Sequence, residues 1–306
     1  MKKIFSLFMV LSLVVLAACS MESGFSNNEK EIKESMKDVK VGVSISTLNN
    51  PFFVSLKDGI EKEAKAKGMK VSVVDAQDDT AKQISGIEDL ILQNVDILLV
   101  NPTDSAAISS AVQSANEAGI PVITIDRSSE EGDIETFIAS DNVAGGETAA
   151  EYLVKQLGEK AKVVELEGVS GASATRERGK GFHNIADEQL DVLTSQTAEF
   201  DRTKGLNVME NILQGKKDIQ AVFAHNDEMA LGAVEAIKAA GKDVIVVGFD
   251  GNEDALKAVE NGELQATVAQ QPVLIGEEAV NAAEKVLKGE KVDETISVPL
   301  KLVTKE

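Results

Sequence analysis

The sequence predicts an α/β protein of two lobes, each wound around a parallel-rich sheet. Three observations carry this. From Val39 onward one unit recurs, a short β-branched run, a polar turn and an amphipathic segment. Strands that are continuously apolar and alternate with helices belong to parallel sheets covered on both faces. A single doubly wound sheet would be large for this length, and two lobes of about 130 residues each match ordinary domain size better. The halves also echo one another: each opens with a strand and contains a strand ending in Asn or Asp at a helix start, Asn101-Pro102-Thr103-Asp104 in the first and Asn226-Asp227 in the second.

The elements follow in order. Lys2 and Lys3 precede an apolar run from Ile4 to Val15, broken only by Ser6 and Ser12, and then Leu16-Ala17-Ala18-Cys19. A basic start, an apolar core and small residues before a cut site describe a secretory signal peptide. The run is shorter than the roughly 20 residues a membrane-spanning helix needs. The cysteine after Leu-Ala-Ala resembles the bacterial lipoprotein box, in which the thiol is acylated and becomes the mature N-terminus. Residues 1–18 are thus expected to be removed and Cys19 to carry a lipid anchor on the extracytoplasmic face of the cell membrane. Cys19 is the sole cysteine, so no intrachain disulfide can form. The 288 residues from 19 to 306 are enough to rest on a core alone, since chains of this size bury about three quarters of their surface. Residues 19–38 read as the acylated cysteine and a flexible tether, with a reach of about 25 Å as a random coil. The formal charge of −20, which becomes −22 once Lys2 and Lys3 leave, speaks against nucleic acid and against adhesion to anionic lipid.

The clearest strand runs are 39–46, 71–75, 96–101, 121–126, 161–167, 220–224 and 243–249. Between them Phe52, Phe53, Leu56, Ile60 and Ala64 share one helical face, as do Ile84, Ile87, Leu90, Ile91 and Val95. The segments 104–118, 143–157, 228–240 and 273–288 read as helices too.

In open parallel sheets a ligand sits beyond the carboxyl ends of the strands, at the helix starts. Those ends hold Asn50, Phe52, Phe53, Asp75, Asn101, Asp126, Arg127, Phe200, Asp201, Asn226, Asp227, Phe249, Asp250 and Gln270. Asn50 before Pro51, Asp104, Asp201 and Asp227 also suit helix N-caps. Capping does not account for Asp126-Arg127, Phe249-Asp250 or Gln270. Of the seven phenylalanines in the lobes, Phe52, Phe53, Phe200 and Phe249 lie at these polar ends, whereas Phe137, Phe182 and Phe223 suit core packing. Planar polar groups around aromatic faces match a polyol ring, because hydroxyls both donate and accept while the rings cover its C–H faces. Asp126 and Asp250 balance Arg127 and Arg178, which suits a neutral ligand.

The runs STLNNPFF (46–53), NPTDS (101–105), PVITIDR (121–127), IASDN (138–142), RERG (176–179), FDRTKGLNVM (200–209), NDEMALGA (226–233) and VVGFDG (246–251) resemble the pentose- and hexose-binding branch of the periplasmic-binding-protein family. The resemblance runs from about Val39 to the C-terminus. It implies two Rossmann-like lobes joined by a three-crossover hinge near 140–143, 269–272 and 299–301. The first lobe would then comprise 39–140 plus 271–299 and the second 141–270 plus 300–306. By motif position it implies that Asn50, Asp126, Arg127, Arg178, Asn226, Asp250 and Gln270 hydrogen-bond the sugar. Phe52, Phe53 and Phe200 would sandwich the ring and Phe249 would line the site. It implies D-ribose or a similar small sugar as ligand and an ABC importer permease as partner, and leaves a chemoreceptor open as a further one. His225 before Asn226 and Gln271 after Gln270 depart from the family pattern beside the pocket.

Other classes fare worse. A transcriptional regulator of this fold needs a basic N-terminal helix-turn-helix module, and an export signal stands there instead. An enzyme acting on sugars finds no G-x-S-x-G, P-loop or G-x-G-x-x-G. The chain has only two histidines, His183 and His225, and the acidic turn at 75–79 lacks EF-hand spacing. No catalysis, cofactor or metal is expected. Within the same class, another pentose or hexose, or a furanose-like signal, is the alternative ligand.

Overall fold

The computed structural model describes residues 32–305. The leader, Cys19 and most of the tether lie outside the described residues. In chain order the elements are β1 (Lys40–Ile45), α1 (Pro51–Lys67), β2 (Lys70–Asp75), α2 (Thr80–Leu92), β3 (Ile97–Val100), α3 (Ser109–Glu117), β4 (Val122–Ile125) and β5 (Thr136–Ser140). Then come α4 (Asn142–Leu157), β6 (Ala161–Glu167), α5 (Ser173–Gln189), β7 (Leu190–Thr197), α6 (Arg202–Gly215), β8 (Ala221–Ala224), α7 (Asp227–Ala239) and β9 (Ile245–Asp250). The last are α8 (Glu253–Asn261), β10 (Ala266–Ala269), α9 (Pro272–Leu287), β11 (Thr295–Val298) and β12 (Lys301–Thr304).

Two six-stranded sheets result, in the orders β11-β5-β4-β3-β1-β2 and β12-β10-β9-β8-β6-β7. The orders are the same pattern twice. Every pairing is parallel except that of β12 with β10. β3, β4 and β8 are buried at every position, which is why their sequences are apolar, with Thr124 of β4 the one exception, rather than alternating. The chain passes between the sheets three times, from β5 to α4, from β10 to α9 and from β11 to β12. Hydrogen bonds also join the lobes at the cleft rim. Ser105 N–H donates to the Gly171 carbonyl at 2.9 Å, Ser173 N–H to Ser105 Oγ at 3.1 Å and Ser128 N–H to Ser173 Oγ at 3.0 Å.

Five strands and three helices were not among the expected segments. β5, β10, β11 and β12 span only four or five residues each, and β7 is a half-polar edge strand. α5 escapes the apolar pattern because Ser173, Thr175 and Arg178 lie on its buried face. α6 and α8 each bury only three residues. The helix expected over 104–118 begins at Ser109. Asp104 closes a turn instead, its Oδ1 accepting from Ala106 and Ala107 N–H at 3.0 and 2.9 Å. Asp227 is the first residue of α7 rather than its cap, and Asn226 takes the capping role. Asn50 and Asp201 do cap α1 and α6.

Candidate functional site

The carboxyl ends of β1, β4, β7, β8 and β9 and the residues just after them converge with α5 on a pocket between the lobes that encloses about 230 Å³ with its open mouth included. Nine of the eleven expected residues line it: Asn50, Phe52, Phe53, Asp126, Arg127, Arg178, Phe200, Asn226 and Asp250, together with Ala174. A wider polar mouth of about 540 Å³ shares Asn50, Phe53, Arg127 and Phe200 with it and opens past Asn49, Asp78 and Glu228.

The first lobe supplies one wall. Asn50 Oδ1 accepts from Phe52 N–H at 2.9 Å, which fixes the amide's orientation and leaves its N–H₂ and the second lone pair of its oxygen for a ligand. The cap and Pro51 start α1 at this point, which brings Phe52 and Phe53 to the cavity with their rings edge to face at 5.2 Å. Asp126 ends β4 with φ 62°, a left-handed conformation that Asp tolerates better than most residues. Its Oδ2 accepts from Asn101 Nδ2 at 3.2 Å. Arg127 donates Nη1 to the Pro102 carbonyl at 3.1 Å. Its buried Nε has no hydrogen-bond partner among the described residues. The guanidinium lies 5.1 Å from the Phe53 ring centre and 5.2 Å from that of Phe200, so it is flanked by aromatic rings from both lobes. Phe200 itself has φ 60°. Its ring sits so close over Gly168 that a Cβ there would meet it at 2.1 Å.

The second lobe builds its wall around Arg178. Nε donates to Asn142 Oδ1 at 2.9 Å and Nη1 to the His225 carbonyl at 2.6 Å. Asp250 Oδ1 lies 3.6 Å from Nη1. α4 and α5 cross closely enough for this because both carry glycine at the contact: a Cβ on Gly146 would meet the Arg178 carbonyl at 2.2 Å, and one on Gly181 the Val143 carbonyl at 1.9 Å. Asn226 uses Oδ1 to cap α7 through Met229 N–H at 3.0 Å and Nδ2 to donate to the Phe200 carbonyl at 3.1 Å.

Two expected residues adjoin this lining, Phe249 behind Arg178 and Gln270 beside Asp250. Phe249 is fully buried in the second lobe's core and supports the Arg178 guanidinium from beneath, 3.9 Å from ring centre to Cζ. Gln270 donates Nε2 to Asp250 Oδ1 at 2.9 Å. Its buried Oε1 has no partner among the described residues. Asn142 and Ala174 were not singled out from the sequence, although Asn142 closes the IASDN run at the first crossover.

Burial dominates the electrostatics. It pushes the Asp126 carboxyl above the ordinary range against the pull of Arg127 and Arg178. It raises Asp250 well above that range, with Arg178 opposing and Asp227 adding to the rise. Asp227, which accepts from Thr267 Oγ1 and Asn252 N–H at 2.7 Å each, is pushed up by burial to about 7. Burial lowers Arg127. Acceptors held in so dry a cavity are stabilised by hydroxyl donors, and its arginines by hydroxyl acceptors. A neutral polyol supplies both.

A family model described as periplasmic binding protein domain matches residues 41–291. The ribose import binding protein RbsB of Bacillus subtilis (strain 168) is 62% identical over 312 residues, covering 100% of both chains. Its namesake from Salmonella typhimurium (strain LT2) is 56% identical over 268 residues, covering 87% of this chain and 90% of the other. Among solved structures, an ABC transporter solute binding protein from Bacillus halodurans C-125 with bound myo-inositol superposes with a TM-score of 0.83 at 35% identity, covering 89% of this chain and 96% of that one.

Proposed function

The chain belongs to the periplasmic binding protein domain family, and from that premise we propose that it captures D-ribose between its lobes and delivers it to the permease of an ABC importer. The observation that carries the reading is the cavity itself: Asp126 and Arg127 of one lobe face Arg178 and Asp250 of the other around walls of Phe52, Phe53 and Phe200. The full-length similarity to a ribose import binding protein supports the choice of sugar.

The lobes are taken as 39–140 plus 271–299 and 141–270 plus 300–306. Asn50, Asp126, Arg127, Arg178, Asn226, Asp250 and Gln270, the last with an Oε1 unpartnered among the described residues, hydrogen-bond the sugar, and Phe52, Phe53 and Phe200 cover its faces, with Phe249 behind Arg178. A ligand that touches both lobes binds the closed form better than the open one and shifts the population toward it. The permease then reads the closed shape, and a chemoreceptor is a further reader. The signal peptide and acylation of Cys19 keep the protein at the extracytoplasmic face of the membrane. The sugar leaves unchanged, with no cofactor or metal involved.

Calorimetry against a panel of pentoses and hexoses tests this. D-Ribose is expected to bind most tightly and to be recovered intact. Binding of another sugar with none of ribose would overturn the ligand and keep the cleft. That second reading draws on a similar solved chain that holds D-allose.

A further inference from the structure

The two histidines of the chain converge on one carboxylate beneath the cleft. Glu165, on β6, is fully buried in the middle of an apolar strand. Its Oε1 lies 2.9 Å from His225 Nε2. Its Oε2 lies 3.0 Å from His183 Nε2 and accepts from Ser195 Oγ at 2.5 Å. His183 reaches outward with Nδ1 to Asp187 at 2.7 Å. His225 is fully buried, its Nδ1 has no partner among the described residues, and its carbonyl is the one that accepts from Arg178. A Cβ on Gly179, the residue after Arg178, would lie 3.4 Å from the His225 ring and 3.7 Å from Glu165. α5 therefore rests on this cluster at the turn that carries Arg178, and is tied to it again one turn later through His183. None of these three side chains lines the cavity.

We propose that Glu165, His225 and His183 are positioning residues for the sugar site, which seat α5 on its sheet and so hold Arg178 where it meets the ligand. The inference rests on the sugar-binding reading. The network has a pH-sensitive member. His183 can donate to Glu165 and Asp187 together only as an imidazolium, because the neutral ring has one N–H. Those two carboxylates hold it above the ordinary histidine range against the opposing effect of burial. Burial likewise works against the Glu165 carboxylate, yet the His225 and Ser195 hydrogen bonds and the histidine charges keep it below its ordinary value. The groups facing His183 are Glu165 from β6, with His225 from β8 behind it, the Ser195 hydroxyl from β7 and Asp187 on its own helix. Glu147 on α4 is engaged one position further on, by Asn184 at 2.7 Å. Sugar and proton favour the same seating of α5, and by reciprocity each strengthens the binding of the other.

The test is the D-ribose Kd by calorimetry at pH 6 and pH 9 for the full mature protein and three variants, with melting temperatures on the same samples. Wild type is expected to weaken about fivefold more than H183Q does between pH 6 and pH 9, the raised carboxyls of Asp227 and Asp250 being common to both proteins. H225L, which leaves Glu165 short of a buried donor, is expected to bind about tenfold more weakly. H225Q, whose amide can reach Oε1, should restore affinity to within about twofold of wild type. A Kd in H225L equal to wild type, a loss that H225Q fails to restore, or a pH profile that H183Q leaves intact would each overturn the proposal. If H225L does not fold, H183Q, at a partly exposed position, carries the test through the pH profile. Absence of ribose binding in wild type would sink the ligand assignment instead, and the same series is then read with the sugar that binds.

Discussion

Arg127 and Arg178 enter one cavity from opposite lobes and are held in opposite ways. Arg178 has two hydrogen bonds, an aspartate and an aromatic face, and all of them come from its own lobe. Arg127 has one hydrogen bond, an Nε that makes none but lies 3.7 Å from Asp126 Oδ2, and two flanking rings, one of which, Phe200, belongs to the other lobe. Preorganised donors lose little freedom when a ligand arrives. The second lobe therefore presents a finished half-site, whereas the first lobe's arginine acquires its full surroundings only as the lobes meet. Initial capture by the second lobe, followed by closure onto it, is the order this asymmetry favours.

The contrast can be broken by experiment. Arg178→Ala is expected to have the largest effect, about 100-fold or more in ribose Kd, because Asp250, Asn142 and the His225 carbonyl all lose a partner at a cost of about 1–3 kcal/mol each. Calorimetry reads it, and a loss below tenfold would contradict a built half-site around this residue. Arg127→Ala should cost less, about tenfold, and by stopped-flow fluorescence of a cleft-labelled protein the loss should fall on dissociation rather than association. Equal losses in the two variants would erase the distinction between the lobes. Phe200→Leu removes an aromatic face from both arginines but keeps an apolar wall, and about fivefold is expected by the same calorimetry.

The smallest effect concerns stability without ligand. Asp227 has its pKa raised to about 7 from 3.8. The folded state thus holds a proton that the unfolded chain releases, and stability falls as pH rises from about 4 to about 7. Asp227→Asn should flatten that part of the profile, read as melting temperature against pH. An unchanged slope would place the titration elsewhere.

Most of this cavity is legible in the sequence because polar residues interrupt strands that are otherwise apolar. Asp126-Arg127 ends PVITI and Asp250 ends VIVVGF, and an α/β sheet has one place for such residues. Phe249 was read onto the wall for the same reason, but successive residues of a strand point to opposite faces. With Asp250 turned to the cavity, Phe249 has to turn to the core. Asn226 and Asp227 illustrate a similar limit: both are good caps, and only the path of the chain decides which one stands before the first turn. α5 was invisible as an amphipathic helix because the face it buries is a binding face, with Arg178 where periodicity looks for leucine. Glu165 left a trace that was readable, a carboxylate in the middle of a strand buried on both sides, yet its partners lie 18 and 60 positions away.

The order in which these parts leave the ribosome has a consequence of its own. The first lobe's edge strand β11 and the helix α9, which packs on α1 so closely that a Cβ on Gly276 would meet the Leu56 carbonyl at 2.4 Å, come after almost all of the second lobe in the chain. A nascent chain therefore cannot complete its first lobe until residue 298 has been made. Contacts of such long range form slowly. The first lobe is thus locked by nearly the last segments of the chain to be made, and its native state is closed from the C-terminal end.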